Sequence, residues 1–268
     1  MTTRTIAIAG LGTIGRAVAG WLKAPGGPFA LSAVSAGDTA KAAAWLETQG
    51  LAVPVLPPEA LPGRAEIVVE AAPAAAFAAI ARPALEAGCT LFVLTSSALL
   101  VHDDLVALAA AKGGRIIVPT GALLGLDAVV AAAEGEIRRV TLSTRKPPRG
   151  LAGAPYLVQN GIDVTAINSP TRIFSGSARQ AALGFPANVN VAATLSLAGI
   201  GPDRTEVEIW ADPTIERNIH RISVEADAAR FTMEIEGVPS ENPRTGRLTP
   251  LSVIAALKRL EAPLVIGT

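Results

Sequence analysis

The stretch IAIAGLGTIGRAVAGWL, residues 6–22, constrains this chain more than any other. An apolar run ends at Gly10, and Gly12 and Gly15 follow at the spacing with which a strand turns sharply into a helix. Three glycines so placed let the chain turn, let the backbone approach a pyrophosphate, and let the helix lie close on the strand. Thr13 and Ile14 open the helix, whose first N–H groups and partial positive charge suit phosphates. Gly10, Gly12, Thr13, Ile14 and Gly15 are therefore expected to bind a dinucleotide. A glycine turn needed only for packing is the competing reading.

The residues that follow carry the same pattern onward. LSAVS, EIVVEAA, TLFVLT and RIIVPT alternate with alanine-rich helical segments as far as residue 120, as in a parallel sheet with crossover helices. Asp38 can cap the helix before KAAAWLETQ, Gly50 can close it, and Gly88 stops PALEA. Beyond residue 120, RRVTLSTR, RTEVEIWAD, HRISVEAD and ARFTMEIEGV alternate apolar and polar residues, like strands with one wet face. SARQAAL and NVNVAATLSLAG read as helices between them. The closing LTPLSVIAALKRLE reads as a helix with Leu251, Ile254, Ala255 and Leu257 as its apolar residues. The fold class is thus α/β, with a Rossmann dinucleotide-binding domain over 1–120 and an α+β domain on a mainly antiparallel sheet over 121–240. A C-terminal helix within 241–268 is expected to return to the first domain. PPRGLAGAP, 147–155, reads as a mobile loop.

Half of the residues are hydrophobic, enough for a real core, and 23 basic residues balance 23 acidic ones. No global field draws such a chain to nucleic acid or an anionic membrane, so a small molecule is the expected partner. No apolar run reaches the roughly 18 residues of a membrane span, and the N-terminus lacks the pattern of a secretory leader, which predicts a cytoplasmic protein. The single cysteine, Cys89, excludes an internal disulfide and a multi-cysteine metal site; it sits between a helix end and a buried strand, where a core role is expected.

Dinucleotide sites of this kind usually carry an acid about 20 residues on, where it bonds the ribose hydroxyls of NAD. Here the second strand ends in Ser35 and Ala36; Asp38 is already a cap, and no arginine stands beside it for a 2′-phosphate. This reading favours NAD over NADP and leaves use of both cofactors open.

The chain has no GxSxG elbow, no HExxH pair and no CxxC, and two histidines leave no multi-histidine metal site. Hydride transfer remains, which asks of the protein orientation, a proton donor or acceptor, and cations for an anionic substrate. His102 precedes two aspartates at a helix start and reads as exposed. His220 shares a strand face with Ile222, Val224 and Ala226, where a satisfied core histidine is the ordinary reading. It also opens its strand after a polar turn, a partly buried rim position suited to acid/base work. Arg145 and Lys146 end a strand at a Pro-Pro stop and could bind a carboxylate, or form an ordinary solvated pair. Asn188 and Asn190 precede an alanine-rich helix, where one would cap it and the other could reach a ligand. Gly121 and Ala122 offer bare backbone to a nicotinamide ring.

Together these residues resemble the L-aspartate dehydrogenase family. The resemblance is carried by GLGTIG (10–15), PTGALLGLDA (119–128), TRKPP (144–148), FSGSARQAALGFPANVNVAATLSLAGIGPDRT (174–205), ADPTIERNIHRI (211–222) and NPRTGRLTPLSVIAAL (242–257). It implies NAD(P)-dependent oxidation of aspartate to iminosuccinate, which hydrolyses to oxaloacetate and ammonia or feeds NAD biosynthesis. It also implies an active-site histidine at His220, cofactor contacts at Ala122 and Asn190, and a homodimer. Two departures stand out: Thr95, Ser96, Ser97, Ala98 replaces a serine-any-glycine-alanine run, and Thr245, Gly246, Arg247, Leu248 replaces TSxL. An imine or amino-acid reductase of different substrate, and a non-catalytic NAD(P)-binding sensor, are the alternatives.

Overall fold

The computed structural model describes residues 3–186, 189–240 and 246–267. The chain divides into two compact units, Met1–Pro119 with Pro250–Pro263, and Thr120–Thr249 with Leu264–Thr268.

The first unit runs β1 (Arg4–Ala9), α1 (Thr13–Leu22), β2 (Phe29–Ser35), α2 (Thr39–Gln49), β3 (Ile67–Glu70), α3 (Phe77–Glu86), β4 (Thr90–Val93), α4 (Ser96–Leu99), α5 (Asp104–Lys112) and β5 (Arg115–Ile117). The strands pair in parallel in the order β2-β1-β3-β4-β5, and a parallel bridge from Val34 to Val55 adds a rudimentary strand outside β2. The chain steps outward from β1 to β2 and returns on the other side to β3. The carboxyl ends of β1 and β3 therefore flank the switch point at which such sheets bind nucleotides. Ile6–Ala9, Ile67–Val69 and Leu91–Phe92 are wholly buried, which explains their nearly continuous apolar runs. Asp38 Oδ1 accepts from the Lys41 amide at 2.9 Å and Gly50 closes α2, as the sequence suggested.

In the second unit the order is α6 (Leu126–Ala133), β6 (Ile137–Lys146), α7 (Pro155–Gln159), β7 (Thr171–Ser177), α8 (Ala178–Gly184), α9 (Asn190–Ala198), β8 (Thr205–Ala211), β9 (Ile219–Ala226) and β10 (Arg230–Glu236). Its sheet has the order β10-β9-β6-β8-β7, antiparallel except between β6 and β8. One face buries Val140, Leu142, Val207, Ile209, Ile222 and Val224, with α8 and α9 packed against β8. The other face is wet and carries ion pairs such as Arg139–Glu206 at 2.6 Å and Arg172–Glu208 at 2.7 Å. Pairs this exposed contribute about 0–1 kcal/mol each, so the sheet depends on its covered face.

The last helix, α10 (Leu248–Arg259), buries Val253 and Leu257 among Ile6, Ile8 and Val18 of the first unit, worth roughly 1.5–3 kcal/mol per side chain. This corrects the expected apolar stripe. Leu251 and Ala255 are exposed and Ile254 is only partly buried, because the i, i+4 pair 253/257 sets the inward face. The segment 147–155 also differs from the expected mobile loop. It makes a 3₁₀ turn at Pro148–Gly150, followed by the start of α7, and is pinned by Leu151, which is wholly buried. No helix among the described residues is long and apolar enough to cross a membrane.

Candidate functional site

The glycine fingerprint forms a cradle in which each glycine has a separate reason. Gly10 has φ +103°, and a Cβ there would strike the Ala71 carbonyl and lie 2.9 Å from the Ala72 nitrogen, both just past β3. Its amide donates to the Ser35 carbonyl at 2.7 Å, tying the loop after β1 to the end of β2. A Cβ on Gly15 would run into the Gly10 carbonyl, so α1 lies against the loop without room for a methyl group. At Gly12 nothing lies within 4 Å of such an atom, and no side chain caps α1 there. The open space is thus at the helix N-terminus, where the backbone amides of Thr13 and Ile14 begin the helix. This cradle fits a pyrophosphate.

Gly12→Val is expected to leave stability within about 0.5 kcal/mol, as substitutions into open space do, and to weaken NAD(H) binding at least tenfold. Gly15→Ala should do the reverse first, overpacking the loop by about 1–3 kcal/mol. Thermal melts and calorimetric titration with NADH separate the two.

Behind the cradle stands Glu70, at the end of β3 and wholly buried. Its Oε1 accepts from the Ala72 amide at 3.1 Å and the Thr95 hydroxyl at 2.9 Å; Oε2 accepts from the Leu94 and Thr95 amides at 3.2 and 3.0 Å. One carboxyl group therefore joins the loops after β3 and β4. Burial pushes its pKa up in spite of these donors.

In the second unit His220 and Thr144 are directly paired across β9 and β6. The Thr144 hydroxyl lies 3.1 Å from His220 Nδ1. His220 is 3% exposed, which corrects the expected partly buried rim position: the strand starts one residue earlier, at Ile219, and carries the ring onto the covered face. Lys146 lies on that face too, two residues beyond Thr144 on β6, and is likewise buried. Burial, followed by the charge of Lys146, pushes the His220 pKa down to about 3, and burial lowers Lys146 to about 8. The imidazole is therefore neutral at physiological pH. A small cavity borders Thr144 and Lys146 between the sheet and the start of α9.

This depression fixes a stability trend. Unfolded histidine takes up a proton near pH 6.5, whereas folded His220 does so only near 3. Its contribution is complete above about pH 6.5 and is lost as pH falls toward 3, by about 1.4 kcal/mol per unit. Urea midpoints measured between pH 7 and pH 5 should fall more steeply in the wild type than in His220→Gln. The raised pKa of Glu70 contributes in the opposite direction, equally in both proteins, so the difference between them isolates His220.

Arg145 and Lys146 are not the solvated pair their sequence allowed. Arg145 Nη2 lies 2.9 Å from Asp212 Oδ2, and the Asp212 carboxylate is 1% exposed. The N–H is not aligned along that line, so this is an ion pair rather than a full hydrogen bond. Asp212 Oδ1 accepts from the Thr214 amide and hydroxyl at 2.9 and 2.6 Å, and its own amide donates to the Lys146 carbonyl at 2.9 Å. Burial pushes the Asp212 carboxyl up, but the two Thr214 donors and Arg145 outweigh it and hold it below the usual carboxylate value. The ADPT turn is thereby fastened to the end of β6.

Other sequence candidates separate. Ala122 lies in the half-buried turn after Gly121, Asn190 is the first residue of α9, and Asn188 lies outside the described residues. Ser97, at the position where the family run has glycine, is buried within α4. His102 is partly buried, not exposed, and stacks on Phe77 with ring centroids 5.9 Å apart. The Cys89 thiol is buried and 3.3 Å from the Ala65 carbonyl, and burial raises its pKa, as suits an inert core thiol. Thr144, Asp212 and Glu70 were not singled out beforehand. For Thr144 the alternation of β6 was a usable signal, since it places residues 142, 144 and 146 on one face.

The Rossmann-type sheet with its phosphate cradle, carried on a chain whose second sheet buries a neutral histidine and a lysine, defines an NAD(P)-linked dehydrogenase class. Residues 10–119 match the family model described as the homoserine dehydrogenase NAD-binding domain, and residues 127–260 match the one for the C-terminal part of aspartate dehydrogenase. The chain is 55% identical over 263 residues to an L-aspartate dehydrogenase of Bradyrhizobium diazoefficiens, covering 98% of this chain and 94% of that one. It is 50% identical over 264 residues to L-aspartate dehydrogenase 3 of Bordetella bronchiseptica, covering 98% and 97%. The crystal structure of aspartate dehydrogenase from Thermotoga maritima shares the fold, with a TM-score of 0.74 at 23% identity over 98% of this chain and 99% of that one. The chain belongs to the aspartate dehydrogenase family.

Proposed function

We propose that the protein oxidises L-aspartate to iminosuccinate with NAD⁺ or NADP⁺, and that water then converts the imine to oxaloacetate and ammonia. The observation that carries this reading is the buried His220–Thr144 pair beside Lys146, in a chain 55% identical to an L-aspartate dehydrogenase over nearly its full length.

The bound cofactor supplies the hydride acceptor for Cα. Gly10, Gly12, Thr13, Ile14 and Gly15 hold the pyrophosphate, with Ala122 and Asn190 as further cofactor contacts. Lys146 holds a substrate carboxylate; Arg145, already paired with Asp212, fixes the turn beside it. With Thr144 accepting from Nδ1–H, His220 Nε2 is left as a proton acceptor. It takes the proton released as the Cα–N bond becomes C=N, or the proton of the water that attacks the imine carbon. In the free protein the ring is a weak base, chiefly because it is buried; a substrate carboxylate that pairs with Lys146 offsets the smaller cause, the charge of Lys146, and raises the ring's pKa in part. In the direction of reductive amination the same nitrogen is the acid.

Incubation with L-aspartate and either cofactor, following reduced nicotinamide, tests the reading: turnover supports it, and none with either cofactor in either direction overturns it. The proposal includes a homodimer in the cytoplasm. The exposed apolar side chains Val158 and Leu183 of the second unit are available to a partner copy; light scattering should give twice the mass of one chain.

A further inference from the structure

Arg16 follows the third glycine of the fingerprint, one turn into α1. Its Nε donates to the Leu11 carbonyl at 2.9 Å, and its guanidinium lies 5.2 Å from the centroid of the Trp45 ring on α2. Leu11 is the residue between Gly10 and Gly12, and Gly10 is bonded to the last residue of β2, Ser35. The guanidinium is thus held in the angle between the fingerprint loop and α2, on the side of the switch point where β2 ends. On this fold that is where the adenosine ribose of a dinucleotide lies. Among the described residues the two Nη groups have no hydrogen-bond or ion-pair partner, and no carboxylate stands in the segment Ser35–Gly37 to hold a 2′-hydroxyl. The first acid after β2, Asp38, is spent on the Lys41 amide.

We infer that Arg16 is a specificity residue for the 2′-phosphate of NADP, presenting Nη1 and Nη2 to it while Nε and the Trp45 ring keep the planar group oriented. A guanidinium suits the role because it offers several donors in a fixed fork and stacks on an aromatic face without losing them. An acid at the end of β2 would repel the phosphate; Ser35 and Ala36 do not. The sequence alone gave no arginine beside Asp38, because the cation comes from α1 and reaches that corner only in three dimensions.

This inference rests on the placement of the dinucleotide at the fingerprint, and the two can fail separately. Calorimetric titration of NADP⁺ and NAD⁺ into the wild type, Gly12→Val, Arg16→Gln and Arg16→Lys reads both. Gly12→Val should lose both cofactors; if it keeps them, the placement is wrong. Arg16→Gln should weaken NADP⁺ roughly tenfold to a hundredfold, the worth of a hydrogen-bonded charge pair, with NAD⁺ within threefold and Arg16→Lys between the two proteins. Equal losses for both cofactors would reduce Arg16 to a clamp on the loop and overturn the inference, as would no loss for either. A thermal melt of each variant accompanies the titration, since a merely structural role moves the melt without splitting the cofactors.

Discussion

His220→Ala should lower turnover of L-aspartate roughly 10²–10⁴-fold, the span that a positioned acid/base contributes, while NADH still binds with unchanged affinity. The two readouts come apart because the ring is in the second unit and the phosphate cradle in the first. Truncation also opens a cavity and leaves the Thr144 hydroxyl without its partner at 3.1 Å, which costs some stability. His220→Asn fills more of the space and serves as the second variant. If both lose activity only in proportion to the unfolded fraction, His220 is a core residue and no more. If kcat falls by orders of magnitude in a protein that still melts cooperatively, the imidazole takes part in the chemistry.

Glu70→Ala should lower stability by about 2–4 kcal/mol. The Ala72 and Thr95 amides have no other acceptor among the described residues, and each buried donor left unsatisfied costs about 1–3 kcal/mol. The Leu94 amide keeps its bond to the Glu70 carbonyl, and the Thr95 hydroxyl keeps the Ala72 carbonyl, so these two add little. In a chain of this size the melting temperature should fall on the order of 8 °C. Because Ala71 and Ala72 also form the wall that Gly10 packs against, NADH affinity should fall as well. An unchanged or raised melting temperature would mean that the cost of burying the carboxyl exceeds what its four bonds return.

The five strands of the first unit were legible to within about three residues, because a parallel sheet buries its strands on both faces and writes them as apolar runs. Asp38 and Gly50 were legible for a similar reason: capping is local. What the sequence concealed depends on pairing at long range. Alternation put His220 on an apolar face, and would have done the same for Thr144, but nothing in it says that residues 144 and 220 are opposite one another. Nor did it show that Arg145 meets Asp212, so the two cations at the end of β6 looked alike although Lys146 is buried and Arg145 is half-exposed. The terminal helix misled because Leu251 and Ala255 face water while Val253 joins Leu257 in the core. Glu70 was invisible as a brace, since a glutamate at the end of an apolar strand is as consistent with solvent as with four donors converging from two loops.

In the proposed reaction, hydride leaves Cα of aspartate for the nicotinamide while His220 moves the proton. Turnover of L-aspartate deuterated at Cα, with mass analysis of the reduced cofactor, tests it most directly. The wild type should give reduced cofactor carrying one deuterium, about one mass unit heavier than the unlabelled form, and His220→Ala the same label at a far lower rate. Unlabelled reduced cofactor, or none at all from a protein that binds NADH, would contradict it.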